Sequence, residues 1–114
     1  MGAIDVRPVE PIEPVRVESQ MLGPSLTLEV TGELDLGTVG GFVDQALTAI
    51  GASTWDVRIG LAGVGFLDSS GLKALIQVRD HVTANGGTVS VCNPADRVRE
   101  VLELSGIVGV IPIE

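Results

Sequence analysis

The stretch FLDSSGLKALIQV, residues 66–78, joins two different hydrophobic patterns. Upstream of it, Val57, Ile59 and Leu61 recur at every second position and the apolar run continues to Leu67, which predicts a strand. Downstream, Leu72, Leu75, Ile76 and Val82 fall on one face of a helix that Asn85, Gly86 and Gly87 close. Asp68, Ser69, Ser70 and Gly71 lie between, so they form a strand-to-helix turn. Asp68 or Ser69 can accept the orphan N–H groups of the first helical turn, and Gly71 can relieve a tight approach.

The same alternation extends outward in both directions. Leu26, Leu28 and Val30 alternate with Thr27, Glu29 and Thr31 as a half-buried strand that GELD at 32–35 ends. Val39, Phe42, Val43, Ala46, Leu47 and Ile50 then follow helical spacing, with Thr38 as candidate N-cap and Gly51 beyond the last turn. Gly40 and Gly41 each weaken that helix by about 1 kcal/mol relative to alanine, which predicts a loose or closely packed first turn. Towards the C-terminus, Val89 and Val91 mark a strand. Asn93 and Pro94 read as N-cap and first residue of a third helix carrying Val98, Val101, Leu102 and Ser105, which Gly106 stops. Val108–Ile113 reads as a last short strand.

Strands separated by helices require crossover connections and hence parallel pairing. The expected fold is therefore one α/β domain with a mixed, mostly parallel sheet of four to five strands and three main helices. Alternation within the strands implies that helices cover one sheet face better than the other. At the N-terminus, Pro8, Pro11 and Pro14 exclude a helix and favour extended backbone, so residues 1–14 read as a proline-rich arm and 15–114 as the domain. Val15 to Glu18 alternate as an edge strand, and Leu22 to Ser25 read as a turn.

Composition narrows the functions. A net charge of −8, from 15 acidic against 7 basic residues, repels nucleic-acid phosphates and anionic membrane surfaces. With Trp55, Phe42 and Phe66 the only aromatic residues, no platform exists for stacking bases. The longest apolar and glycine run, Ile59–Leu67, is too short to span a bilayer, and the N-terminus lacks the pattern of a signal peptide. A single cysteine, Cys92, makes no internal disulfide, and no Cys/His cluster has metal-binding spacing. A soluble cytoplasmic protein with a protein partner and no cofactor is expected.

Ser70 invites a catalytic reading, which the sequence disfavours. The only histidine, His81, lies eleven residues along the same helix, about 16 Å away at 1.5 Å per residue. Lys73 stands three residues after Ser70, but no second lysine or tyrosine completes a dyad site, and no G-x-S-x-G elbow occurs. Neither phosphate-binding glycine motif is present. Asp35 and Asp68 lack a third ligand for a metal and read as capping and loop residues. His81 reads as a helix-surface residue and Cys92 as a small hydrophobe in a strand. A phosphate on Ser70 is a different matter. The first turn of a helix tolerates an anion, yet about −1.5 to −2 charge beside Asp68 would disrupt any interface built around the turn.

Three motifs in order carry a family resemblance: GELDLGT at 32–38, FLDSSGLKAL at 66–75 and GGTVSVCNPADRVREVLELSGI at 86–107. Together they resemble the STAS domains, and within them the free-standing bacterial anti-sigma factor antagonists, over about Leu26 to Ile113. The resemblance implies a non-enzymatic partner switch. The unmodified antagonist would bind an anti-sigma factor that is also a serine kinase, freeing a sigma factor for transcription, commonly in stress responses. Phosphorylation would end binding and a serine phosphatase would restore it. It implies Ser70 as the phosphorylated residue, and Asp35, Asp68, Ser69, Gly71 and Leu72 as the surface that meets the kinase. The alternative is an unphosphorylated STAS subunit of a transporter or signalling assembly. The chain departs from the family pattern in two places. Many members read Leu-Asp-Leu-Ser where Ile59, Gly60, Leu61 and Ala62 stand, which removes a carboxylate and a hydroxyl. Many also carry a further C-terminal helix beyond the position of Glu114, so a sheet edge or face here would be exposed or covered by the N-terminal arm.

Overall fold

The computed structural model describes residues 14–53 and 55–114. The proline-rich arm expected over 1–14 therefore lies outside the described residues except for Pro14. Four strands, β1 (Val15–Leu22), β2 (Ser25–Leu34), β3 (Asp56–Leu67) and β4 (Thr88–Cys92), form one sheet in chain order. Helix α1 (Val39–Ile50) connects β2 to β3, α2 (Ser69–Ala84) connects β3 to β4, and α3 (Asp96–Ser105) follows β4. The β1–β2 hairpin is antiparallel and the β2–β3 and β3–β4 pairs are parallel, which gives the mixed sheet expected from the sequence.

Right-handed crossovers that step across a sheet in one direction leave their helices on the same face. Leu26, Leu28 and Val30 of β2 accordingly share one core with Phe42, Val43 and Ala46 of α1, Leu75 and Val78 of α2, and Val98 and Leu102 of α3. The opposite face carries Glu18, Glu29, Thr31, Arg58 and Ser90 and, among the described residues, no helix.

β3 explains why the apolar run before the turn stays unbroken. Its pairing with β2 slips between Glu29 and Thr31 and again between Gly32 and Glu33, each time placing one extra residue on β3. A single extra residue inverts which face the following side chains occupy. Val57, Ile59 and Leu61 point into the core at odd positions, Val64 returns to it at an even one, and Leu67 at an odd one again. The second inversion leaves Phe66 half exposed immediately before the turn.

β2 ends at Leu34, within the GELD stretch expected to close it, while other boundaries differ from the sequence reading. Gly32 adopts φ 113°, open only to glycine, and a Cβ there would overlap the Pro14 carbonyl. Thr38 occupies the N-cap position of α1 without capping it. Its hydroxyl turns back to accept the Asp35 N–H at 3.0 Å and donate to the Glu33 carbonyl at 2.7 Å. Asn93 is not an N-cap: it sits at φ 52°, and α3 starts two residues after Pro94, behind Ala95. The final strand reduces to a 3₁₀ turn at Ile107–Gly109 and a single bridge from Ile113 to Val91.

Both sheet edges have partners. On the outer edge of β1, the Gln45 side chain of α1 accepts the Val17 N–H at 2.9 Å and donates to the Val15 carbonyl at 3.2 Å. Beside β4, the Val91 N–H donates to Pro112 and the Glu114 N–H donates to Val91, both at 2.8 Å. Arg58 and Ser90 bond the Glu114 side chain on the helix-free face and hold its carboxyl below the usual range. Cys92 is buried in β4, and that burial pushes its thiol up, with Glu29 and Glu114 adding to the effect over the opposing pull of Arg58. Because the thiolate is the reactive form, a colourimetric disulfide reagent at pH 8 should modify native Cys92 more than about tenfold slower than the urea-unfolded chain. Equal rates would mean that the β4 end opens freely.

Candidate functional site

The ends of β2 and β3 converge on the first turn of α2. Leu34 and Leu67 are register partners, so Asp35 and Asp68 leave the sheet from adjacent positions. The Asp68 N–H donates to the Leu34 carbonyl at 3.2 Å, tying the start of the turn to β2. Asp68 is the N-cap of α2: its Oδ1 accepts the Ser70 N–H at 2.8 Å and the Gly71 N–H at 3.2 Å. Gly71 is buried against β2, where an added Cβ would lie 2.6 Å from the Leu34 carbonyl oxygen and 3.0 Å from Leu67 Cγ.

This settles the roles left open between Asp68 and Ser69, since the aspartate caps and Ser69 is exposed at the first helical position. Leu72 is half-buried against the core. Asp35 organises its own turn, its Oδ1 accepting the Gly37 N–H at 2.9 Å. Each carboxylate therefore serves a separate backbone turn. Replacing Asp68 by alanine should lower stability by about 1 kcal/mol, while asparagine, whose carbonyl can accept the same bonds, should retain most of it in urea melts. Equal losses in the two variants would assign the effect to charge instead of capping.

Ser70 is half-buried, and its hydroxyl has no hydrogen-bond partner among the described residues. It stands at a cleft of about 400 Å³ between the first turns of α1 and α2, lined also by Leu36, Val39, Val43, Asp44, Lys73 and Gln77. Leu36, in the β2–α1 turn, is 80% exposed at its edge. The sequence reading found the α2 side of this cleft and missed the α1 side. A trace of it was present in Gly40, which lines the cleft and whose absent Cβ would meet nothing within 4 Å, so neither close packing nor strain explains that glycine.

His81 lies near the far end of α2, where its Nε2–H donates to the Gly51 carbonyl at 2.8 Å. It is thus a tie between α2 and the end of α1 instead of a plain surface residue, and it is remote from Ser70. Among the described residues, no group of three or more histidine, cysteine or acidic side chains could hold a metal. No helix among them is long and apolar enough to cross a membrane.

The profile of the STAS domain matches residues 15–114. The chain belongs to the STAS domain family. A STAS-domain containing protein of Pseudomonas aeruginosa (strain UCBPP-PA14) is 30% identical over 83 residues, covering 73% of this chain and 81% of that protein. In fold, this STAS domain is similar to an anti-sigma factor antagonist from Mycobacterium paratuberculosis, with TM-score 0.75 and 24% identity over 90% of this chain and 86% of that one. It is also similar to the anti-sigma factor antagonist SpoIIAA in its unphosphorylated form, with TM-score 0.69 and 23% identity over 87% and 88%. The same fold spans 85% of this chain and 19% of the murine Slc26a9 anion transporter, with TM-score 0.65 and 17% identity.

The STAS fold also places the departures from the family pattern. Gly60 pairs with Glu29 and Cys92 in the middle of the sheet, seven residues before Leu67. At about 3.3 Å per strand residue this puts it roughly 23 Å from the end of β3 at Leu67, and Ala62 roughly 16 Å. A side chain at either position is too distant to support the Ser70 hydroxyl directly. The Glu29 carboxylate fills the space a Cβ at Gly60 would need.

Proposed function

We propose that this STAS domain is an anti-sigma factor antagonist. Unphosphorylated, it binds an anti-sigma serine kinase in the cytoplasm and so releases a sigma factor for transcription. Phosphorylation at Ser70 ends the binding, and a serine phosphatase reverses it. The observation that carries this reading is the Ser70 hydroxyl, without a hydrogen-bond partner among the described residues, beside a partly apolar cleft on a turn whose Ser70 and Gly71 N–H groups already donate to Asp68. Asp35, Asp68, Ser69 and Leu72 frame the docking surface, Leu36 extends it, and Gly71, buried against β2, positions it from beneath.

A binding role is favoured over catalysis because the sole histidine is held at the other end of α2, which leaves Ser70 without a base to take its proton. The fold shared with Slc26a9 favours a second reading, in which the domain is an unmodified subunit of a larger assembly. The two separate in an affinity capture from lysate of the source cell, comparing the wild type with Ser70→Asp and identifying bound proteins by mass spectrometry. An ATP-binding kinase retained by the wild type and lost by the variant supports the switch. Equal capture of the same partner by both supports the subunit.

A further inference from the structure

Lys73 is the only lysine of the chain, and it lines the cleft together with Ser70. It is exposed, and no ion pair or hydrogen bond engages it among the described residues. The other cations among the described residues have different neighbours. Arg16 pairs with Glu18, Arg58 with Glu114, Arg79 with Asp80 and Arg99 with Glu103, while Arg97 lines a separate cleft beside Phe66 and Leu67 on α3. Residues three apart on a helix face one another, with Cβ atoms about 5–6 Å apart.

A phosphate on Ser70 would find the obvious anion donors occupied. The N–H groups of Ser70 and Gly71 already donate to Asp68, and the Asp68 carboxylate is itself an anion. Across the cleft, α1 presents Asp44, and Asp35 lies in the preceding turn. In this acidic setting one ammonium stands within a helical turn of the modified oxygen.

Resting on the reading of Ser70 as a phosphoacceptor, we propose that Lys73 is the residue that holds the phosphate, drawing it back along α2 over the cleft. Phosphorylation then does two things: it adds charge to the docking surface, and it covers the cleft with a phosphate–lysine pair. The second effect makes release of a partner independent of whether that partner is itself acidic.

The test uses the full chain with phosphoserine installed at position 70 during translation, so no kinase is required. The second ionisation of the phosphate is followed by phosphorus NMR against pH. Lys73→Met should raise that pKa by about 0.5 to 1 unit, because a cation within about 4 Å stabilises the dianion. Lys73→Arg should keep it near the wild-type value. Arg79→Met, nine residues from Ser70 and so about 13 Å along the helix, should move it by less than about 0.2 unit. Identical titrations for the wild type and Lys73→Met, or a Lys73→Arg variant that behaves as Lys73→Met does, would overturn the proposal. Whether Ser70 is phosphorylated in the cell is read separately, by mass spectrometry of the native protein, so a failure of the Lys73 pairing is distinguished from a failure of the phosphoacceptor reading.

Discussion

Gly71→Ala is expected to destabilise the domain by about 2 kcal/mol, although alanine is the better helix former. Helix propensity alone would favour the change by up to about 1 kcal/mol. Against that, the new methyl would lie 2.6 Å from the Leu34 carbonyl oxygen and 2.9 Å from Leu34 Cβ. These atoms belong to β2 itself, so no rotamer change relieves the contact, and α2 has to move off the sheet. Overpacking of this kind typically costs about 1–3 kcal/mol. Gly40→Ala supplies the opposite sign: its Cβ enters open space, and the variant should gain about 0.5–1 kcal/mol. Urea unfolding of the two variants checks both. A Gly71→Ala protein as stable as the wild type would mean that the α2–β2 contact is looser than the structure has it. Because Asp68 is tied to Leu34 in the same corner, the variant should also weaken partner binding by shifting the turn.

Ser70→Asp is expected to show the reverse separation, a large loss of binding with little change in stability. Aspartate in the first turn of a helix is tolerated by the helix dipole, so the unfolding free energy should stay within about 0.5 kcal/mol of the wild type. An uncompensated charge carried into an interface costs several kcal/mol, and about 1.4 kcal/mol is already a tenfold loss of affinity. Binding of the captured partner should therefore fall at least tenfold by calorimetry, and further with phosphoserine, which carries about −1.5 to −2 charge. Ser70→Ala should bind like the wild type. If Ser70→Asp binds with unchanged affinity, the docking surface lies elsewhere on the domain.

Much of the architecture was legible because it rests on periodicity. α1 and the central residues of β2, β3 and β4 each carry a one-sided hydrophobic pattern that only one backbone geometry can bury. The misread places are those where a local signal competed with tertiary contacts. Asn93–Pro94 has the composition of a helix start, but Asn93 takes the left-handed conformation asparagine tolerates, and the chain turns before α3 begins. Thr38 has the right identity for a cap, yet its hydroxyl is drawn into the Glu33–Asp35 turn. The apolar run over Val108–Ile113 resembles a strand, but its buried Ile111 lies in the bend after a 3₁₀ turn at Ile107–Gly109 instead of in a ladder.

The site divides in the same way. The Asp68 cap and the turn around Ser70 follow from contiguous residues, and the sequence could supply them. The cleft does not, because its walls come from α1 and α2, and only the assembled sheet brings Val39 and Val43 together with Ser70 and Lys73. In the sequence, Lys73 reads only as half of a missing catalytic dyad. Its position beside a cleft gives it a different chemistry.

The bonds from Asp68 to the backbone of Ser70 and Gly71 have a consequence for the protein's lifetime in the cell. They leave the serine hydroxyl outside the scaffold that holds the chain folded, so adding or removing a phosphate alters no bond on which folding depends. Degradation that samples the unfolded chain would then differ between the two forms by no more than the contribution of the Lys73 pair, less than about tenfold. If Ser70 is phosphorylated as proposed, the total pool would change far less than its active fraction, and phosphate-resolving gels would follow the change that immunoblots of abundance largely miss.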